Sequence, residues 1–223
     1  MDGDRLDIGE AISYGWNSMK ENVGFFVLVF LIVWVVEGVF YGIGGAFIKY
    51  PVVTIILYVI GLLLGIFIQM SIVNITLRLN RGGEPDFKDM YSAYRYFGKF
   101  LLAAILYGLL VLAGLILFVI PGIYWAIKYH FFGYFVIEQN MDPLAALKRS
   151  GEITKGSKWM LLILFIAFVG ITFVGAILCG IGLLFSTPIV VMATVFAYRQ
   201  LLETSPQVMT PAQAEPPAPV APA

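Results

Sequence analysis

Three ionisable side chains stand in otherwise apolar stretches: Glu37, Lys128 and His130. Ionisable groups at membrane depth are costly and mark an ion pair, a proton relay or a substrate contact. At ~1.5 Å per residue from Phe25, Glu37 lies about 18 Å along its span. Counted inward from Pro121, Lys128 lies about 10 Å and His130 about 13 Å below the outer surface. Matched depth and opposite charge predict a Glu37–Lys128 contact with His130 nearby. Two other readings remain open: Lys128 snorkels to the outer interface, or the group forms a substrate or proton site. Gln69, Ser71 and Asn74 make a milder polar face near the inner end of the second span, a pattern that interhelical hydrogen bonds explain.

Little else in the chain could do chemistry. There is one His and one Cys. Cys179 has no partner for an intrachain disulfide, and a single His excludes a zinc site of the H-E-x-x-H type. No G-x-x-x-x-G-K-[ST] loop and no G-x-S-x-G elbow occurs. No nucleophile–base pair, metal-ligand set or cofactor motif can be assembled, so a non-enzymatic protein without a cofactor is expected.

The composition says where such residues must sit. Of 223 residues, 60% are hydrophobic and 13% charged, against about 25% charged in a soluble domain. Fourteen basic residues balance fourteen acidic ones, so no net charge points to nucleic acid. The chain reads as an all-α, polytopic membrane protein.

The polar first 21 residues carry four acids before Ala11, unlike a signal-peptide n-region, so the N-terminus is expected to be retained. Spans follow at Val23–Tyr41 and Val52–Asn74, joined through Gly42–Gly45 and Lys49. Phe100–Ile137 centres on Pro121–Gly122 and reads as two short spans or a re-entrant hairpin. Trp159–Tyr198 holds two more, divided at Gly180–Gly182, the second kinked by Pro188. Six transmembrane helices in three hairpins result. Gly38-x-x-x-Gly42 and Gly61-x-x-x-Gly65 fit close helix packing.

Arg5 and Lys20 precede the first span. Arg78, Arg81, Lys88, Arg95 and Lys99 follow the second, Lys148, Arg149, Lys155 and Lys158 the fourth, and Arg199 the last. With six crossings these interfacial basic residues share one side, and both termini are cytoplasmic. Residues 1–203 form the membrane domain. Residues 204–223, with Pro206, Pro211, Pro216, Pro217 and Pro219, read as a disordered Pro/Ala-rich tail.

Each hairpin is introduced by a polar segment beginning at Asp7, Asp86 or Asp142, an N-cap pattern followed by an apolar stripe. The chain therefore reads as three units, 5–77, 84–137 and 142–202, each an amphipathic helix lying in the cytoplasmic interface and a membrane hairpin.

Ile120-Pro121-Gly122-Ile123-Tyr124, then Lys128-Tyr129, then Asp142-Pro143-Leu144-Ala145-Ala146-Leu147-Lys148-Arg149-Ser150 and Gly156 resemble a broad family of uncharacterised prokaryotic six-span membrane proteins. That family is similar to the membrane domain attached to some glycerophosphodiester phosphodiesterases. The resemblance implies six helices and a plasma-membrane location, and carries no catalytic residues. The expected function is a scaffold or accessory subunit in envelope or lipid organisation. Its expected partners are membrane lipids with anionic headgroups, and a membrane protein or second copy. The alternative is a transporter or channel for a small solute or lipid, built around the outer polar cluster.

Overall fold

The computed structural model describes residues 6–177 and 180–205. Cys179 and the predicted tail from Pro206 onward lie outside the described residues. Those described form helices α1 (Ile8–Glu21), α2 (Val23–Ala46), α3 (Pro51–Asn80), α4 (Lys88–Ser92), α5 (Phe97–Leu117), α6 (Val119–Tyr129), α7 (Phe132–Gln139), α8 (Pro143–Ile153), α9 (Lys158–Ile177) and α10 (Leu183–Glu203), with a 3-10 turn at Ala93–Tyr96. Among the described residues five helices are long and apolar enough to cross a membrane: α2, α3, the run Lys88–Leu117, α9 and α10. The remaining predicted span is divided. At ~1.5 Å per residue α6 is about 16 Å and α7 about 12 Å long, each short of a ~30 Å hydrocarbon core.

Helix α1 starts where Asp7 caps it, the carboxylate accepting the Glu10 N–H at 2.8 Å. Glu10 does not reach back to complete a capping box. The Gln200 amide takes that role, accepting the Asp7 N–H at 3.0 Å and donating to Glu10 at 2.9 Å. Ala11, Gly15 and Met19, spaced by four, form the buried face of α1. That face lies on α10 and runs against its direction: Tyr14 stacks on Phe196, and Gly15 meets Ala193 and the Ile189 carbonyl. A helix lying flat in the interface touches only the ends of spans, whereas α1 reaches the middle of α10.

The α2–α3 hairpin turns through residues 47–50, where the Thr54 hydroxyl donates to the Phe47 carbonyl at 2.7 Å and Pro51 opens α3. Gly44 sits over the Tyr58 ring and Gly61 over Phe40, but Gly38 and Gly42 face open space. Only part of the two small-residue motifs serves packing within the chain.

The turn expected at Pro121–Gly122 lies three residues earlier, at Phe118, whose backbone is extended (φ −164°, ψ 153°). Pro121 falls in the first turn of α6, where a missing N–H is tolerated. Gly122 is a packing glycine: a Cβ on Gly114 would lie 2.8 Å from its Cα. A second break at His130–Phe131 separates α6 from α7. Helix α8 satisfies the backbone groups freed there. The Ser150 hydroxyl accepts the Phe131 N–H and donates to the Lys128 carbonyl, both at 3.1 Å, and the Thr154 hydroxyl lies 3.2 Å from the same carbonyl.

The core gathers where α7 meets α10. Tyr198, fully buried, stacks on Tyr134 at 4.8 Å and meets Phe135 edge-on at 5.3 Å. The close α1–α10 approach is open to test. A Cβ at Gly15 would stand 2.4 Å from the Ile189 carbonyl oxygen, so Gly15→Leu should lower the unfolding midpoint in detergent by the equivalent of about 2 kcal/mol. Gly108→Ala, which meets nothing within 4 Å, should be neutral or stabilising by up to ~1 kcal/mol. Equal effects of the two substitutions would contradict this packing.

Candidate functional site

Two polar features stand out in the bundle. The first is a cavity of about 330 Å³, open on one side, between α2, α3, α5, α7 and α10, with Glu37, Gln69, His130, Thr187 and Thr194 on its wall. Helical spacing puts them there. Phe30, Val33 and Glu37 share one face of α2, and Thr187, Val191 and Thr194 one face of α10. Two of the three predicted intramembrane ionisable residues, Glu37 and His130, thus line a common space.

Lys128 does not join them. No Glu37–Lys128 ion pair forms, and among the described residues no cation lies within 4 Å of the Glu37 carboxylate. The Lys128 ammonium sits over the Tyr129 ring at 4.8 Å, and its stem lies against Gly151 of α8. The depth count assumed one straight helix from Pro121. Pro121 and Lys128 do share one uninterrupted helix, but rise fixes depth and not the face, and Lys128 leaves α6 on the face packed against α8. The His130 ring meets Phe165 at 4.8 Å and Phe131 at 5.5 Å, both edge-on.

The predicted polar face of the second span divides as well. Ser71 donates to the Met90 carbonyl at 2.9 Å, and Asn74 donates to the Asp89 carbonyl at 2.9 Å and to Ser92 at 3.2 Å. Both hold the short α4 against α3, as hydrogen-bonding residues between packed elements do. Gln69 alone turns to the cavity.

The second feature lies at the opposite end of α3 from Lys49, where a hollow of about 370 Å³ is lined by Arg78, Arg81, Arg95, Asp89 and Glu138. Arg78 grips Asp89 through two contacts of 2.6 and 2.8 Å. Glu138, at the end of α7, accepts from Arg81 at 2.5 Å, Arg199 at 2.6 Å and the Tyr198 hydroxyl at 2.6 Å. Arg199 also donates to Asn80 at 3.1 Å, whose amide donates to Tyr14 at 3.0 Å. Burial alone would raise the Glu138 pKa. The hydrogen bonds from Tyr198, Arg81 and Arg199 outweigh it and hold the carboxyl below its ordinary 4.5.

Sequence reasoning missed Glu138, which stands one residue beyond the apolar block ending at Ile137. The available signal was indirect: Arg81 and Arg199 close two other spans, and bundled span ends of like charge need a counter-ion.

The other interfacial basic residues are distributed around this end. Lys99 meets Asp142 at 3.2 Å and the Asn140 carbonyl at 2.9 Å. Arg95 lies over the Tyr96 ring at 4.7 Å. Arg149 pairs with Glu152 at 3.0 Å, and Lys158 donates to the Tyr124 hydroxyl. Lys88 and Lys148 are exposed, and Lys155 follows α8. Among the described residues no group of three or more His, Cys, Asp and Glu side chains is arranged to hold a metal ion.

No protein-family profile matches the chain, and no solved structure matches it. It is similar to an uncharacterised protein of Mycobacterium bovis and to one of Mycobacterium tuberculosis, each 26% identical over 119 residues. Those residues are 53% of this chain, and the match covers 37% of the length of each relative.

The Glu138 junction has a thermodynamic signature. A depressed folded pKa gives stability that is present above the unfolded value near 4.5 and lost as pH falls through the lower folded value. Glu138→Gln should cost about 3 kcal/mol at pH 7, because two guanidinium groups lose their counter-ion. Arg81→Gln should cost at most ~1 kcal/mol, since the Arg81 side chain is 58% exposed. Thermal unfolding of the detergent-solubilised protein from pH 7 to pH 3 measures both, and an acid limb as steep in Glu138→Gln as in the parent would count against the assignment.

Proposed function

We propose that the chain is a multi-pass protein of a prokaryotic plasma membrane, a scaffold or accessory subunit in envelope or lipid organisation whose cytoplasmic end holds anionic lipid headgroups. The observation that carries this reading is the hollow at the inner ends of α3 and α7. Three arginines line it with two carboxylates, leaving one excess positive charge beside the apolar surface of the spans. Guanidinium groups match phosphate oxygens in geometry, and a juxtamembrane basic residue attracts an anionic leaflet by about 1 kcal/mol. In this reading α6 and α7 together make an interrupted sixth crossing, both termini are cytoplasmic, and the resemblance to six-span membrane proteins extends to the arrangement. The gathering of Arg81, Arg199, Lys99 and Arg78 at one end of the bundle, with Lys49 at the other end of α3, supports that sidedness.

A second reading, transport of a small solute, is favoured by one observation: the cavity reaching Glu37 between five elements. Transporter sites lie near midplane where helices are interrupted, and the cavity borders the His130–Phe131 break.

Lipid retention separates these readings. After reconstitution in nanodiscs of mixed phosphatidylglycerol and phosphatidylethanolamine and release into the gas phase, the protein should keep the anionic lipid preferentially. Arg95→Ala, which leaves the Glu138 junction intact, should reduce that preference about fivefold. Equal retention of both lipids by the parent protein would rule the headgroup reading out.

A further inference from the structure

We propose that the Glu37 cavity is a binding site for a small organic ammonium ion. The inference rests on the second reading only in taking the cavity as a solute site, and it names the solute's chemistry.

Glu37 is partly buried on a membrane-spanning helix, where a carboxylate needs a proton or a cation to offset its desolvation. Among the described residues Glu37 has neither Lys nor Arg within 4 Å, and it forms no ion pair with His130. Its oxygen Oε1 would lie 3.8 Å from a Cβ on Gly65, the one neighbouring atom within 4 Å of that Cβ among the described residues, so the carboxylate lies beside a position of α3 that carries no side chain.

The rest of the wall selects the kind of cation. Phe30, Phe100, Phe132 and Tyr134 surround the cavity, and aromatic faces attract cations, ammonium groups above all. Gln69 supplies a side-chain amide from the rim. The Thr194 hydroxyl is engaged with the Val190 carbonyl at 2.7 Å, which leaves Thr187 as the hydroxyl on that wall. No Lys or Arg lines the cavity, so an anionic solute would face the Glu37 carboxylate without a permanent positive charge to offset it. A bare metal ion is equally ill served, because calcium takes six to eight oxygen ligands and one carboxylate is far short of that. A volume of about 330 Å³ holds roughly ten water-sized groups, room for an ammonium head and a short apolar body.

The test uses the full chain in nanodiscs, titrated calorimetrically with choline and with its uncharged isostere 3,3-dimethylbutan-1-ol. Saturable choline binding is expected, at least tenfold tighter than the alcohol. Glu37→Gln should weaken choline binding at least tenfold and leave the alcohol unchanged. Gln69→Leu, at the exposed rim, should weaken choline about threefold and keeps the test available should Glu37→Gln fail to fold. Absent choline binding, equal affinity for choline and alcohol, or indifference to both substitutions would overturn the proposal.

Choline flux in proteoliposomes then separates the two ideas. Glu37-dependent binding without flux upholds the site and counts against transport. Flux of the alcohol with no choline binding overturns the site and leaves transport standing.

Discussion

A buried carboxylate at the C-terminal end of α7 is the interaction on which the arrangement of the bundle depends. Glu138 sits with its side chain 10% exposed, a position untenable for a charge unless donors surround it. Its donors come from two other helices, Arg81 at the end of α3 and Arg199 with Tyr198 near the end of α10. Three helix ends are thereby fixed at one level. Through Asn80 and Tyr14 the same network reaches α1, the element that the Gln200 amide already ties to α10. The aromatic packing around Tyr198 follows from this registration, since Tyr134 lies one helical turn from Glu138 on α7.

The break at His130–Phe131 is the second constraint. An interrupted helix within apolar surroundings exposes N–H and C=O groups that must find partners. Here α8 supplies them through Ser150 and Thr154. The third polar segment is therefore a structural partner of the α6–α7 corner as well as the connector to α9. The corner sends neighbouring residues apart: Lys128 packs towards α8, while His130 borders the cavity that Glu37 enters from the other side.

Polar residues in this protein consequently serve two different ends. At the arginine-lined end Arg78, Arg81, Lys99 and Arg199 each meet a carboxylate, and the charged residues that line the hollow carry a single excess positive charge. In the cavity a carboxylate stands among aromatic rings without a cationic side chain. The paired end fixes geometry; the unpaired carboxylate is where a solute has most to offer.

Periodicity and composition made the long helices legible. Trp159–Tyr198 carries no charged residue and Val23–Tyr41 only Glu37, and an apolar run of that length in a chain with 13% charged residues has one stable form in lipid, the helix. The N-cap at Asp7, a hairpin turn at Lys49 and the gathering of basic residues at span ends were equally local, hence readable, although Gly42–Gly45, expected in that turn, continues α2 to Ala46. The Phe100–Ile137 block was not: a Pro–Gly pair marks a turn in most contexts, but here Gly122 is used for contact with Gly114 and the chain reverses at Phe118. Nor does any local pattern tell Lys128 from His130 as a neighbour of Glu37. That choice depends on the angle at a helix break, and the angle is set by hydrogen bonds from α8, twenty residues further along. Glu138 shows the same limit, because its importance lies in Arg81 and Arg199, 57 and 61 residues distant in the chain. The sequence by itself determined where the long apolar helices outside Phe100–Ile137 run and which end of each is charged, for those depend on short-range sterics and hydrophobicity. Only the tertiary structure decided which charges meet, because a pair energy that falls with distance is defined by packing and not by order along the chain.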